Sequence, residues 1–245
     1  MKKLVLLLVI VIILMGCELS VVDTSDQLTI SVASSLKNVM LDLQNMYDQN
    51  FIINFGSSGN LKTQIQQGAS IDIFISASSK EMNELESQGL LLNDTKRDLL
   101  QNTLVLITPV GKASEITSFL DVATNKVGQI ALGEPSSVPA GQYAQKVFES
   151  FGINDKVANK AIYAKDVIQV LTYVAQNEVD AGVVYMTDAK KNKKVTIVDN
   201  SDIPVVYPLA IIKDSRHITK AEEFIEFLFS EKAKLIFEKY GFHFK

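Results

Sequence analysis

The chain has 245 residues, of which 47% are hydrophobic and 21% charged, and its formal net charge at pH 7 is −4. This length supports one large domain or two ordinary domains, each with its own core. The acidic balance, without a basic run interleaved with aromatic residues, argues against a nucleic-acid partner.

The start of the chain has the pattern of a secretory leader. Two lysines precede an unbroken apolar run at 4–15, which is short for a helix that spans a bilayer, and a glycine and Cys17 follow. Residues 14–17 resemble a bacterial lipobox, in which cleavage before the cysteine leaves a thiol that carries lipid. We therefore predict a lipoprotein signal peptide at 1–16 and a lipidated tether at 17–27, which would hold the protein on the outer face of the cell membrane. The alternative is an N-terminal membrane helix.

Cys17 is the only cysteine in the chain. An internal disulfide and a catalytic thiol elsewhere are therefore excluded. Removal of the leader takes away its two lysines and lowers the formal charge from −4 to −6. Local donors would have to hold any anionic ligand against this unfavourable overall field.

Strand and helix patterns alternate through the rest of the chain, which predicts mostly parallel sheets flanked by helices. At the first junction, alternating apolar residues at 28–32 give way to helical spacing at 36–47. Ser34 and Ser35 would then lie at a helix N-terminus, where unpaired N–H groups and the helix dipole favour an anion. The simpler interpretation is an ordinary N-cap.

A second hydroxyl-rich turn, GSSGN at 56–60, follows a predicted strand at 51–55. Its glycines let the backbone approach a ligand closely, and Ser57 or Ser58 could donate to that ligand or cap the helix that ends at Gly68. Taken alone, this turn is more typical of an ordinary loop.

The strand predicted at 71–76 is nearly all apolar, as a buried parallel strand should be. Asp72 should lie near a strand end or accept backbone donors, because a buried carboxylate without hydrogen bonds is costly. Ser78 and Glu81 predict a capping box for the next helix.

The chain is predicted to enter a second domain where the strand at 103–108 ends in Pro-Val-Gly. A new strand follows at 129–132, and Pro139 then suits the first turn of a helix, where its missing N–H costs nothing. Ala140 and Gly141 would offer bare backbone N–H groups to a ligand. The alternative is an ordinary helix start.

Two further strand ends of the second domain carry candidate donors. The strand at 161–164 precedes Asp166, a suitable N-cap, and Val167, whose backbone N–H would lie at a helix N-terminus. The strand at 181–185 ends in Tyr185, which could be a residue at the rim of the core or a donor aimed into a cleft.

The chain is then predicted to return to the first domain. We predict an edge strand at 195–198, a loop at 199–202 and a long strand at 204–212 that bends at Pro208, since proline is unfavourable within a central strand. Helices close the chain.

The predicted fold class is α/β, with two lobes that each have a mostly parallel sheet flanked by helices. Lobe 1 comprises 28–107 plus 208–245, and lobe 2 comprises 108–207. Two crossings between the lobes make a hinge with a cleft, where small ligands commonly bind.

Each candidate donor lies at the end of a predicted strand, which is where open α/β sheets bind ligands. The candidate donors are Ser35, Ser58, Ala140, Val167 and Tyr185. The surrounding motifs are ASSL at 33–36, GSSGNLKTQI at 56–65, DIFISA at 72–77, VPAGQYA at 138–144, KDV at 165–167, GVVY at 182–185, VVYPLAII at 205–212 and YGF at 240–242. With these motifs the chain resembles the molybdate-binding proteins of bacterial ABC importers, a periplasmic-binding-protein-like family.

The resemblance implies a type II binding-protein fold and a monomer that delivers molybdate or tungstate to a membrane permease, without a cofactor. It implies that Ser35 and Ser58 hold the oxyanion from one lobe, and that the Ala140 and Val167 backbone and the Tyr185 hydroxyl hold it from the other. The family often has a serine at the position of Gly59 and an alanine at that of Ser34, which bears on selectivity.

The chemistry of the donors agrees with a fully ionised dianion. Every oxygen of molybdate, tungstate or sulfate accepts hydrogen bonds, whereas the proton of monohydrogen phosphate would meet no acceptor in a pocket made of donors. An unpaired buried polar group costs about 1–3 kcal/mol, so such a pocket rejects phosphate. Asp166 would reverse this preference if its carboxylate turned inward. Sulfate differs mainly in its shorter bonds, so its exclusion depends on pocket size.

Other classes of function fit the sequence less well. Sulfate or another small oxyanion is the alternative ligand. A serine hydrolase would need a base for Ser35 or Ser58, and the only histidines, His217 and His243, lie late in the chain and away from any nucleophile-elbow motif. The sequence also lacks the cysteine pair of a structural zinc site and the repeats of a surface adhesin.

Overall fold

The computed structural model describes residues 27–112 and 115–244. The predicted signal peptide, Cys17 and the tether up to residue 26 lie outside these ranges. The described strands are β1 (Leu28–Ala33), β2 (Phe51–Gly56), β3 (Ile73–Ile75), β4 (Arg97–Pro109), β5 (Ile130–Gly133), β6 (Ala161–Ala164), β7 (Ala181–Tyr185), β8 (Val195–Ile211) and β9 (His243–Phe244). The described α-helices are α1 (Lys37–Gln44), α2 (Ser58–Gln66), α3 (Ser79–Ser87), α4 (Pro139–Ser150), α5 (Asn154–Ala158), α6 (Val167–Ala175), α7 (Met186–Ala189), α8 (Ile218–Leu228) and α9 (Glu231–Lys239). Two 3-10 turns lie at Ser34–Leu36 and Phe119–Ala123.

The described strands form one continuous sheet in the order β2-β1-β3-β8-β4-β7-β5-β6, with β9 beside β4. Strands β1, β2 and β3 are parallel to one another, and so are β5, β6 and β7. The long strands β4 and β8 are antiparallel to each other and join the two parallel groups. The α/β class with two mostly parallel groups of strands is therefore as predicted. The lobe boundaries, after 107 and after 207, stay a prediction, and both fall within these two long strands.

Apolar faces at the predicted spacing build the core. On α1, Met40 and Leu43 are fully buried, together with Leu36 from the turn before it. The helix ends at Gln44, so Tyr47 packs beyond it, edge-on against Phe224 of α8. The first helix is thus shorter than its apolar spacing indicated.

The region predicted as two strands and a loop is one strand, β8. Asp199 and Asn200 stay in the strand because they pair with Leu106 and Val105 of β4, and the register shift beside them leaves 201–203 as an irregularity without partners on β4. Pro208 donates no hydrogen bond, but its carbonyl accepts the Ser76 N–H at 2.9 Å. The prediction of a loop at 199–202 was therefore wrong. It was based on the polar side chains of this stretch, whereas backbone pairing determines the conformation. Among the described strands, 195–200 pairs only with β4, which agrees with an edge position.

The predicted capping box at the start of α3 is formed only in part. The Ser78 hydroxyl caps the helix, but it accepts from the Lys80 N–H at 3.1 Å. The Glu81 side chain instead accepts from Nε2 of Gln142 on α4 at 2.7 Å. Glu81 is thus used for a contact between lobe 1 and lobe 2.

Asp72 precedes β3 and accepts backbone and side-chain donors, as predicted. Its carboxylate is 5% exposed and accepts from the Thr29 N–H at 2.7 Å and the Ser215 hydroxyl at 2.7 Å. Nδ1 of His217 lies 3.2 Å from the same carboxylate. The cluster joins β1 to the loop before α8.

Replacement of Asp72 by alanine should lower the free energy of unfolding by about 2 kcal/mol, because the half-buried donors on Thr29 and Ser215 lose their acceptor. Urea unfolding measures this loss. Asp48→Ala, at an exposed carboxylate, is the matched control and should change the free energy by less than about 0.5 kcal/mol. Equal effects of the two substitutions would contradict a structural role for the cluster.

Candidate functional site

The candidate site is a small cavity between the two lobes. Lobe 1 lines it with 33–35, 56–58 and Ala77, and lobe 2 lines it with Val138, Pro139, Val167 and Tyr185. The cavity has about 190 Å³ of space free of protein atoms, of which about 10 Å³ can take the centre of a water molecule. Since about 10 Å³ is the room that one water molecule needs, the cavity is far too small for a sugar or a peptide.

Ser35 lies in the 3-10 turn after β1, and its hydroxyl does not cap a helix. The N-cap residue is Ala33, which has no capping side chain, so the N-cap interpretation of Ser34 and Ser35 was wrong. The Ser35 hydroxyl lies 3.1 Å from the hydroxyl of Tyr207, a residue of β8 that the sequence did not single out. Tyr207 therefore orients Ser35 beside the cavity.

Ser58 is the first residue of α2 and is fully buried. Its oxygen accepts the Ala77 N–H at 2.9 Å, and this leaves the hydroxyl proton available to a ligand. Its neighbour Ser57 is 4% exposed, and its hydroxyl has no hydrogen-bond partner among the described residues. Both serines of the predicted turn thus bring a donor to the cavity wall.

The start of α4 presents less backbone than predicted. Pro139 is at the first helical position, as predicted, and lines the cavity together with Val138. The Gly141 N–H donates to the Val138 carbonyl at 2.9 Å, so it is not available to a ligand. Ala140 is 1% exposed and is not among the described residues that line the cavity, although it follows Pro139 directly; its N–H, in the first turn, lacks an acceptor within the helix.

Val167 lines the cavity as the first residue of α6. Asp166 caps this helix, because its Oδ1 accepts the Gln169 N–H at 2.8 Å. The carboxylate therefore turns toward its own helix, as predicted. The Val167 N–H remains at the positive end of the helix dipole.

Tyr185 ends β7 and lines the cavity. The side chain is 1% exposed, and the hydroxyl has no hydrogen-bond partner among the described residues. The pKa of Tyr185 lies well above its ordinary value, mainly because the hydroxyl is buried and secondly because Tyr207 is near. The group is therefore a neutral donor at physiological pH.

The described lining of the cavity contains no charged side chain. Its polar groups are hydroxyls and backbone N–H groups, and two of the hydroxyls, those of Ser57 and Tyr185, are buried without a partner. A buried hydroxyl without a hydrogen bond is costly, so these two groups require an acceptor in the cavity, which a water molecule or a ligand can supply. The donor set fits an ion whose oxygens all accept.

The two histidines lie elsewhere. His217 contacts Asp72, and His243 belongs to β9. Neither lines the cavity that contains Ser35 and Ser58.

Asp188 lies just beyond Tyr185, in a larger cavity that also reaches Ser35. Its Oδ2 is enclosed without a partner, although the residue as a whole is half-buried. Burial raises the pKa of Asp188 to about 8, against the opposing effect of Lys191. Sequence reasoning missed this residue, because an aspartate in a short helix carries no distinctive pattern.

Asp188→Asn should stabilise the protein more at pH 8 than at pH 5. Between the ordinary aspartate pKa near 4 and a pKa of about 8, the folded protein holds a proton that the unfolded chain has lost, so stability falls as pH rises. Because the residue is half-buried, we expect a gain of about 1–2 kcal/mol at pH 8. Urea unfolding at the two pH values measures the gain, and exposed Asp202→Asn is the control. A gain independent of pH would contradict the raised pKa.

Comparison with known proteins places the chain in a family. The model of the bacterial extracellular solute-binding proteins matches residues 28–243. The chain belongs to this family. Within the described ranges, no helix of the solute-binding protein has the length and hydrophobicity needed to cross a bilayer.

Relatives of the solute-binding protein agree with the periplasmic-binding-protein fold and the resemblance to molybdate-binding proteins. YvgL of Bacillus subtilis, named provisionally as an ABC transporter substrate-binding lipoprotein, is 42% identical over 93% of this chain and 92% of its own. The molybdate-binding protein ModA of Haemophilus influenzae is 34% identical over 86% of each chain. The periplasmic molybdate-binding protein of Azotobacter vinelandii matches 89% of this chain and 100% of its own with a TM-score of 0.79 at 23% identity, which shows a shared fold. The protein is thus a ModA-like, type II substrate-binding protein of an ABC transporter.

Proposed function

We propose that this substrate-binding protein captures molybdate, and also tungstate, and delivers the ion to the membrane permease of an ABC importer. The ion lies in the cavity between the lobes and receives hydrogen bonds from Ser35, Ser58 and Tyr185 and from the N–H groups of Ala140 and Val167. The Ser57 hydroxyl, which belongs to the same lining, is a further donor to it. Donors from both lobes bridge the ion and favour the closed form, which the permease recognises.

The observation that carries this proposal is the pair of buried hydroxyls without partners at a cavity that has no charged lining. Ser57 and Tyr185 supply these two hydroxyls. A fully ionised tetrahedral dianion satisfies such donors on every side, whereas monohydrogen phosphate brings a proton that finds no acceptor. Asp166 supports this preference, because its carboxylate caps α6.

Titration calorimetry of the protein without residues 1–17 tests the ligand. We expect binding heat with molybdate and tungstate, weaker heat with sulfate, and none with phosphate. Heat with phosphate but not with molybdate would contradict the proposal. Sulfate as the tightest ligand would favour the alternative function, a sulfate-binding protein.

We also propose that lipid on Cys17 anchors the protein to the outer face of the membrane. Support comes from the lipobox-like LMGC at 14–17 after an apolar run and from the place of Cys17 as the only cysteine. Metabolic labelling with a tritiated fatty acid should mark the wild-type protein and leave Cys17→Ser unlabelled. Equal label on both would contradict the anchor.

A further inference from the structure

The two lobes touch directly beside the anion cavity, at Gly59 and Ser137. Gly59 is the second residue of α2 and follows Ser58, while Ser137 precedes the cavity residues Val138 and Pro139. The Gly59 N–H donates to the Ser137 carbonyl at 3.0 Å. This hydrogen bond joins the donor turn of lobe 1 to the segment that begins α4 in lobe 2.

The contact leaves no room for a side chain at position 59. A Cβ there would lie 2.5 Å from the carbonyl oxygen of Ser137, 2.7 Å from its Cα and 2.9 Å from its carbonyl carbon. All three are backbone atoms, so no change of side-chain rotamer relieves the overlap. The lobes would have to separate by roughly 1 Å to restore ordinary contact.

A second contact joins the same two lobes, between helices α3 and α4. Nε2 of Gln142 on α4 donates to Oε1 of Glu81 on α3 at 2.7 Å, and Glu81 is 1% exposed. Its other carboxylate oxygen is enclosed without a partner among the described residues. Because a hydrogen bond to a buried carboxylate is sensitive to distance, this contact and the Gly59–Ser137 contact restrict the gap between the lobes at two places.

We propose that Gly59 sets how closely the lobes approach and is thereby a specificity-determining residue of the anion site. This inference rests on the proposed function. Without a Cβ at 59, the donors of Ser58 and of the α4 N-terminus come close enough to bridge one small tetrahedral ion. A side chain at 59 would hold the lobes apart and widen the cavity, which penalises sulfate, with its shorter bonds, more than molybdate.

Gly59→Ala separates this role from a merely structural one. Gly59 lies within α2 and is not among the described glycines with positive φ, so alanine is compatible with its backbone and favours the helix. The helix itself therefore tolerates alanine, whereas separation of the lobes breaks the Gly59–Ser137 hydrogen bond, so the melting temperature of the ligand-free variant should be equal to or lower than that of the wild type. Affinity should fall as well, because the widened cavity lengthens hydrogen bonds to the ion, and a larger loss for sulfate than for molybdate is what a merely structural role would not produce.

The experiment is calorimetry of the wild type, Gly59→Ala and the control Asn60→Ala, an exposed neighbour on the same helix. We expect the molybdate Kd of Gly59→Ala to rise roughly tenfold, the loss of about one hydrogen bond, and the sulfate Kd to rise by a larger factor. Displacement of bound molybdate measures sulfate even where its binding is weak. The control should bind both ions as the wild type does.

Two results would overturn the inference: unchanged molybdate affinity in Gly59→Ala, or equal losses of affinity for molybdate and sulfate. A wild type that binds no tetrahedral oxyanion would instead overturn the proposed function. The two failures are therefore distinguishable in one set of titrations.

Discussion

Tyr185→Phe should weaken molybdate binding about 30-fold and leave the ligand-free protein at least as stable as the wild type. Tyr185 lines the cavity, and its hydroxyl is buried without a partner among the described residues, so we expect it to cost stability in the free protein and to donate to the charged ion in the complex. A hydrogen bond to a charged group contributes about 2 kcal/mol, which corresponds to this change in Kd. Removal of the unpaired hydroxyl should raise the free energy of unfolding by about 1 kcal/mol.

Calorimetry and urea unfolding measure the two effects on the same preparations. Tyr163→Phe is the matched control, because this tyrosine is 45% exposed and lies outside the cavity. Affinity that is unchanged in Tyr185→Phe would show that the hydroxyl faces the core, which is the alternative role considered from the sequence.

Ser58→Ala should weaken molybdate binding more than Tyr185→Phe does, roughly 30- to 100-fold, and should also destabilise the protein. The Ser58 oxygen accepts the Ala77 N–H at 2.9 Å while its proton is available to the ion. The substitution removes the donor to the ion and leaves a buried N–H unpaired, which costs about 1–2 kcal/mol of stability. Saturation with molybdate should then raise the melting temperature of this variant less than that of the wild type.

The control for Ser58→Ala is Ser70→Ala, at an exposed serine of the same lobe. It should change neither affinity nor stability by a measurable amount. Loss of stability in Ser58→Ala with wild-type affinity would assign the hydroxyl a structural role only, and would contradict its place among the ligands.

Local chemistry in the sequence was sufficient to predict the α/β class and several site elements. Three features depend only on residues that are close in the chain, so the sequence predicts them directly. They are the change of apolar period at 28–36, Pro139 at a helix start and Asp166 as an N-cap. Five strand ends with donors could be named for the same reason. The structure brings Ser35, Ser58, Val167 and Tyr185 to one cavity, whereas Ala140 is buried next to the lining residue Pro139 but does not itself line the cavity.

The features that the sequence did not indicate depend on contacts between distant segments. Glu81 matched a capping box, but a partner on α4, 61 residues away, takes its carboxylate. Tyr207 orients Ser35 from 172 residues along the chain. The continuous strand β8 depends on its pairing with β4, which overrides the polar residues at 199–202. No local pattern encodes any of these three contacts.

The most direct test of the central claim is a crystal of the protein grown with molybdate and measured for the anomalous signal of molybdenum. The claim is that neutral donors alone hold a dianion between two lobes. We expect one strong peak between Ser35, Ser58, Ala140, Val167 and Tyr185, with oxygens within hydrogen-bond distance of these groups. A peak elsewhere, or an ion contacted by a lysine or arginine side chain, would contradict the account.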